Sequence, residues 1–175
     1  MIEPPLQYRA REPLYREPPE LVPIGRDHLG REALLEPHAA RAWQSMHAEA
    51  TAAEIVLVVV SAFRSVARQE EIVSGKLRRG LSWEQILKVS AYPGFSEHHT
   101  GRAVDIGTPV CPALTESFEN TDAFRWLARN ASRFGFALTY PRGNPHGVAY
   151  EPWHWMWRGE PQDYPPGTPP GSMCR

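Results

Sequence analysis

Two short stretches of the chain carry side chains from which metal-assisted chemistry could be built. Ser96-Glu97-His98-His99-Thr100-Gly101-Arg102-Ala103-Val104-Asp105 offers an imidazole and a carboxylate seven residues apart. Glu151-Pro152-Trp153-His154 offers a second imidazole with an acid three residues before it. A hydrolytic zinc site wants three nitrogen or oxygen ligands and one position left for water, a set that His98, Asp105 and His154 would complete. Glu151 could then stand beside the metal without binding it, taking a proton from water and passing it to a leaving amine. Taken singly, these signals have plainer readings. A lone histidine is more often a surface or core residue than a ligand, and Glu-x-x-His can be an exposed pair on a loop.

Ligands so spaced need particular elements to converge. Positions 98 and 105 point to opposite faces of a straight strand, because their spacing is odd. Gly101 supplies the break that lets the chain turn and bring both inward. Arg102 to Ile106 alternates and predicts a strand with Ala103 and Asp105 on one face. Upstream, Pro37 opens a helix in which Ala39, Trp43, Met46, Ala50 and Ala53 recur at three- and four-residue steps. Ile55 to Val60, rich in β-branched residues, predicts a central strand. A helix from Ser65 to about Ser74 follows, with Gly75 as its C-terminal cap. Ser82 and Gln85 form a capping box that opens a short helix, Trp83 to Val89. Farther on, a helix from about Asp122 to Arg133 carries Phe124, Leu127, Ala128 and Ala131 on its apolar side, with Gly135 as its cap. Phe136 to Tyr140 is an expected strand, Pro141 to Gly147 a turn, and Val148 onward another strand. The mixture lacks a strict β-α-β rhythm. The expected fold class is therefore α+β: one domain with a mainly antiparallel central sheet flanked by helices, and the metal site in a surface cleft.

Bulk properties bound the function. The chain has 175 residues, 42% of them apolar and 22% charged, with a formal net charge of −1, so nothing points to nucleic acid or an acidic membrane surface. The longest apolar run, Ile55 to Val60, is too short to cross a bilayer. Six prolines fall in the first 25 residues, which suits an extended arm. The organisation expected is a proline-rich arm over 1–29, a catalytic domain over 30–160 and a proline-rich tail over 161–175. No basic segment followed by an apolar one opens the chain; the expectation is a cytoplasmic protein, or an envelope protein whose export signal has been removed. Cys111 and Cys174 lack metal-ligand spacing and would be either one disulfide or two thiols. With no long heptad or exposed apolar helix, a monomer is expected.

The motifs together resemble a known family. Ser96-x-His98-x-x-Gly101-x-Ala103-x-Asp105, followed by Glu151-x-Trp153-His154, is similar to the zinc D-alanyl-D-alanine carboxypeptidases and dipeptidases of the VanY and VanX type. That group is related to lysostaphin-like peptidases and the hedgehog domain. Ser61-Ala62-Phe63-Arg64-Ser65-x-x-x-Gln69 resembles the family's Ser-Gly-Tyr-Arg-Ser-x-x-x-Gln element, and Phe134-Gly135-Phe136 with Tyr140-Pro141 also fits. The resemblance runs over roughly residues 30 to 158. It implies one zinc ion on His98, Asp105 and His154, with Glu151 as general base. Arg64 would steady the transition state or hold a substrate carboxylate, as its rigid guanidinium fork allows. Ser96, Gln69 and Trp153 would line the cleft. The implied substrate is a peptidoglycan peptide ending in D-Ala-D-Ala, cut at its C-terminal residue; D,D-dipeptidase and L,D-carboxypeptidase specificities share the same motifs.

By the same spacing His99 is a neighbour of the site or exposed, and His146, in a Pro/Gly turn, is either solvated or within reach of substrate. Two rivals belong to other classes. A non-catalytic zinc-containing binding module would need neither Glu151 nor Arg64. A two-histidine, one-carboxylate iron oxygenase would place its acid two residues after the first histidine, not seven.

Overall fold

The computed structural model describes Pro5 and residues 14–145 and 148–159. His146, Cys174 and the 161–175 tail lie outside the described residues, so the expectations made for them stay there.

A hairpin precedes the main sheet. β1 (Val22–Arg26) pairs antiparallel with β2 (Glu32–Leu35), with an irregularity in register between Pro23 and Gly25. Asp27 closes the turn, its Oδ1 accepting from the backbone of Leu29 and Arg31 at 2.9 Å each. The stretch expected to be an irregular arm thus contains a strand. Pro23 is tolerated there because the strand is an edge, where a missing N–H costs no ladder bond.

α1 (Pro37–Ala52) follows. Proline stands at its first turn and the Glu36 carboxylate accepts from the backbone of His38 and Ala39, which satisfies donors a helix start leaves unpaired. Its buried stripe is Ala39, Ala40, Trp43, Met46 and Ala50; Ala53 falls outside it, at the C-cap. Glu54 then takes a positive φ of 60°. β3 begins only at Val58 (Val58–Ser61), three residues later than hydrophobicity suggested, and Val56 is exposed.

α2 (Val66–Arg78) is capped by Ser65, whose hydroxyl accepts from Arg68 N at 3.1 Å. It runs through Gly75 and stops at Gly80, which supplies the left-handed φ of +85°. Gly75 meets nothing that would end a helix, so the first glycine was the wrong one. α3 (Trp83–Leu87) opens with both halves of the Ser82/Gln85 capping box. β4 (Ala103–Gly107), α4 (Asp122–Asn130), β5 (Phe136–Leu138) and β6 (His154–Trp157) complete the domain. α4 buries Ala123 and Leu127 and leaves Ala128 exposed. It passes into a 3-10 turn over Ala131–Phe134 that Gly135 terminates at φ 77°. Residues 148–153 are irregular; the strand expected from Val148 starts at His154. Among the described residues, no helix is long and apolar enough to cross a membrane.

The main sheet runs β3-β4-β6-β5, antiparallel at every step. Alternation sends Val59, Val104, Ile106, Trp155, Trp157 and Phe136 into a core shared with α1 and α4. A shift of register between Val59 and Ser61 then sets Ser61, Asp105 and His154 side by side across three strands on the other face. The fold is α+β with an antiparallel sheet flanked by helices, as the sequence led one to expect.

Gly135 sits where strand and turn press together. A Cβ there would lie 2.0 Å from Gly159 O and 2.8 Å from Trp157 Nε1, on a positive φ of 77°. Gly135→Ala is therefore expected to cost about 2–4 kcal/mol, combining a left-handed alanine with a backbone clash. Denaturant unfolding would measure it, and a loss below about 1 kcal/mol would contradict the packing described.

Candidate metal centre

The ligand segment is shaped by its backbone. Glu97–Thr100 forms one 3-10 turn, and Gly101 closes it at φ 65°, the conformation an L-residue with a side chain adopts only at a cost. That turn reverses the odd spacing, so His98 and Asp105 face one another. Asp105 arrives on β4, and His154 stands opposite it as its register partner on β6.

His98, Asp105 and His154 offer ligand atoms that all lie within 4.8 Å of one another, and each residue is at most 4% exposed. Asp105 Oδ1 is 2.9 Å from His154 Nδ1, and Oδ2 is 3.2 Å from His98 Nε2. The outward nitrogens are tied elsewhere. His98 Nδ1 donates to Ala62 O at 2.7 Å, and His154 Nε2 donates to Glu97 Oε2 at 3.0 Å. Each ring is thereby held with its other nitrogen aimed at Asp105, the arrangement metal-ligating histidines use.

Electrostatics agrees with a cation site. Burial alone would raise the Asp105 carboxyl, but the His98 and His154 imidazoles outweigh it and hold the group well below the usual carboxylate range. Glu97, also penalised by burial, is lowered by its hydrogen bond to His154 and by Arg158. Burial lowers the His98 imidazole from its usual value, against the pull of Asp105. His154, against burial, is pushed up to about 10 by its hydrogen bonds to Asp105 and Glu97. His154 thus stands between two carboxylates, with Nδ1 facing Asp105 and Nε2 facing Glu97. The donor set, its anchored rings and its buried negative charge all fit zinc.

Around this cluster lie the other candidates. Glu151 is half-buried, its backbone N donating to Tyr140 O at 3.0 Å and its carbonyl accepting from His154 N at 3.1 Å. Burial raises its carboxyl to about 7, with Asp105 adding to the rise and His154 and Arg64 opposing it. Arg64, at the β3–α2 turn, donates from Nη1 to Gln69 Oε1 at 2.8 Å and from Nη2 to Ser61 Oγ at 3.1 Å. Burial depresses the guanidinium, while Asp105 and Glu151 support its charge. Ser96 is 6% exposed and does not cap its own 3-10 turn. Trp153 is half-buried against the core.

Gln69 differs from the expectation that it lines the cleft. It is fully buried, its amide oxygen accepting from Arg64 and its Nε2 donating to Ala91 O at 2.7 Å. Both ends of the amide are in use, so it orients Arg64 instead. His99 is equally internal. Its Nδ1 donates to Arg64 O at 2.6 Å and its Nε2 accepts from Gly94 N at 3.1 Å, partners that only the neutral ring can serve.

Sequence reasoning missed Glu97 and Tyr140. Glu97, 3% exposed, accepts from His154 and from Arg158 Nη2 at 3.1 Å; the signal was an acid directly before the first ligand, overlooked because an acid there reads as one more surface charge. The Tyr140 ring lies 4.8 Å from that of His154. Burial and the nearby Glu97 carboxylate raise its phenol far above the usual tyrosine value, which keeps it a donor.

Known proteins resemble this chain in sequence and in fold. A family model described as VanY, D-alanyl-D-alanine carboxypeptidase, matches residues 32–160. The bifunctional D-Ala-D-Ala dipeptidase and carboxypeptidase VanXYC of Enterococcus gallinarum is 30% identical, over 83% of this chain and 77% of that protein. A D-alanyl-D-alanine carboxypeptidase of Enterococcus faecalis (strain ATCC 700802 / V583) is 32% identical over 66% of this chain. The chain spans only 45% of the length of that relative. Among solved structures, the LdcB LD-carboxypeptidase superposes with a TM-score of 0.76 at 31% identity, covering 85% of this chain and 72% of that one. A point mutant of the vancomycin-resistance D,D-pentapeptidase VanY, in complex with Zn(II), superposes with a TM-score of 0.61 at 29% identity, covering 80% of this chain and 79% of that one. The matched residues 32–160 include every strand of the main sheet and every residue of the buried cluster: the chain belongs to the VanY family of D-alanyl-D-alanine carboxypeptidases.

Proposed function

We propose that this chain is a zinc-dependent carboxypeptidase that removes the C-terminal D-alanine from peptidoglycan peptides ending in D-Ala-D-Ala, with 30–160 as its catalytic domain. The observation that carries this is the buried His98–Asp105–His154 cluster with a carboxyl of raised pKa, Glu151, and a held guanidinium, Arg64, beside it. In this reading one ion is held by His98, Asp105 and His154. When bound, it polarises the scissile carbonyl and acidifies water toward a pKa of about 7.

The chain's own groups do the rest. Glu151 takes a proton from the attacking water and delivers it to the leaving amine. Its raised pKa makes it a competent base near neutrality and a competent acid afterwards. Arg64, held by Gln69 and Ser61, presents its remaining N–H donors to the carbonyl oxygen as charge develops there, or to the substrate carboxylate. The Ser96 hydroxyl and Trp153 ring line the cleft. Glu97 holds His154 in register from behind, as the second carboxylate of a carboxylate–histidine–metal relay.

A second reading has a specific observation behind it. The solved structure that superposes with a TM-score of 0.76 is an LD-carboxypeptidase, so an L,D-linked tetrapeptide is the alternative substrate.

Three measurements test these readings. Zinc-loaded protein is expected to release free D-alanine from an acylated peptide ending in D-Ala-D-Ala. Glu151→Gln should lower that rate about 10²- to 10⁴-fold while zinc stays bound. Release from an L,D-tetrapeptide alone would move the assignment to the second reading, and silence on both would sink it in favour of a binding module. Glu97→Ala is expected to weaken zinc about 10- to 100-fold by competition with a chelating dye, and unchanged affinity would remove Glu97 from the site. The acid limb of kcat/KM reports Glu151: activity should rise with pH as its carboxyl ionises, at or below about 7, because a bound dication can only lower that pKa. A profile flat down to pH of about 4, the ordinary glutamate range, would exclude this role.

A further inference from the structure

α2 carries a cation that no carboxylate among the described residues pairs with. Gln69, Val73 and Lys76 follow one another at four- and three-residue steps and so share one face of the helix. The first two are buried and Lys76 is half-buried. Its ammonium donates to Ser90 Oγ, the one hydrogen bond it makes among the described residues. The next residue, Ala91, accepts at its carbonyl from Gln69 Nε2 at 2.7 Å, and Gln69 Oε1 in turn accepts from Arg64 at 2.8 Å. Lys76 and the amide that holds Arg64 are therefore fastened to consecutive residues. The same segment meets the chain that carries Glu151, where Ala149 N lies 3.5 Å from Lys88 O. Lys76 thus stands between the holder of Arg64 and the Glu151 loop.

A half-buried ammonium is costly without an anion. Burial pushes this one below the usual lysine value; Arg79 and Arg64 add to the fall, and Glu151 opposes it. A lysine in the last turn of a helix also suits the helix dipole. The exposed Arg78 already serves that end, whereas Lys76 is folded back onto Ser90.

We propose that Lys76 is a specificity residue, its ammonium pairing with a carboxylate of the bound peptide. The inference rests on the peptidase reading above. Two of the three ammonium donors remain after Ser90 has taken one. The carboxylate has two sources, the C-terminus of the peptide and an acidic side chain on the residue before D-Ala-D-Ala. Lys76 lies seven residues, about 10 Å, along α2 from Gln69, a span of about three residues of extended peptide. With Lys76 on a carboxylate, Arg64 is left for the scissile carbonyl.

The test measures release of the C-terminal residue by zinc-loaded full chain, parent and Lys76→Gln, from three peptides. These are acetyl-Gln-D-Ala-D-Ala, acetyl-Glu-D-Ala-D-Ala and the C-terminal amide of the first. Lys76→Gln keeps a donor for Ser90 and removes the charge. Its KM is expected to rise about five- to tenfold where the paired carboxylate is present, the effect falling on KM more than on kcat. A rise on both acids that vanishes on the amide assigns the terminal carboxylate, and a rise on the Glu peptide alone assigns the side chain. Lys76→Arg should keep most of the parent's preference among the three, and that preference should shrink as salt is raised. The parent's salt series decides the matter if Lys76→Gln does not fold. Equal changes on all three peptides, or a parent with no preference at any salt, would overturn the inference and leave the peptidase reading standing. A parent that releases nothing from any of them would bring down the D,D reading and this inference with it.

Discussion

Everything at the cleft depends on one buried carboxylate, Asp105, held between two imidazoles. Its oxygens reach 2.9 and 3.2 Å to His154 and His98, and all three side chains are buried. A carboxylate in such a place is costly unless it is paired. The pairing fixes the register of β4 against β6, because a one-residue slip would send Asp105 to the core face and Val104 to the site. Alternation does the same work on the reverse side, where Val104, Ile106, Trp155 and Trp157 fill the core. The apolar and polar faces of the same strands therefore enforce one register twice.

The second constraint is a short zipper between the β3–α2 turn and the histidine pair. His98 donates to Ala62 O, His99 donates to Arg64 O, and Arg64 N donates to His98 O at 3.1 Å. These bonds couple Arg64 to the turn that carries His98, so neither can move alone. Gln69 and Ser61 then aim the guanidinium. His99, which chemistry would nominate as a ligand, is spent on this scaffold. Glu97 closes the shell on the far side, shared between His154 and Arg158.

Glu151 is built differently, and the difference suits its proposed task. It stands on irregular chain, anchored by backbone bonds to Tyr140 and His154. Nearby, Arg142 pairs with Glu116 and Glu119 at 3.1 and 2.9 Å and lies 4.1 Å from the Tyr150 ring centroid. These surface pairs restrain the loop without burying it, and exposed ion pairs are individually weak. A proton-transfer group needs some solvent and freedom to swing between water and leaving group, whereas ligands need neither.

Much of this was legible in the sequence, for a physical reason. Metal chemistry demands particular donor atoms, tight turns demand glycine, and helix starts demand oxygen caps. Hence the turn at Gly101, the Pro37 and Ser82 helix starts and the α+β class could be read from residue types and spacing, and the convergence of His98, Asp105 and His154 from those together with the family resemblance. What only the tertiary structure decided was the use of groups with several possible partners. Gln69 could face substrate or scaffold, and packing turned it inward to hold Arg64. Gly75 could end a helix or continue it, and the helix continued because nothing opposed it before Gly80. Glu97 by itself looks like a surface residue. It acquires meaning from strands that are distant in sequence and adjacent in space, because hydrogen bonds and burial act on three-dimensional neighbours, which local spacing does not record.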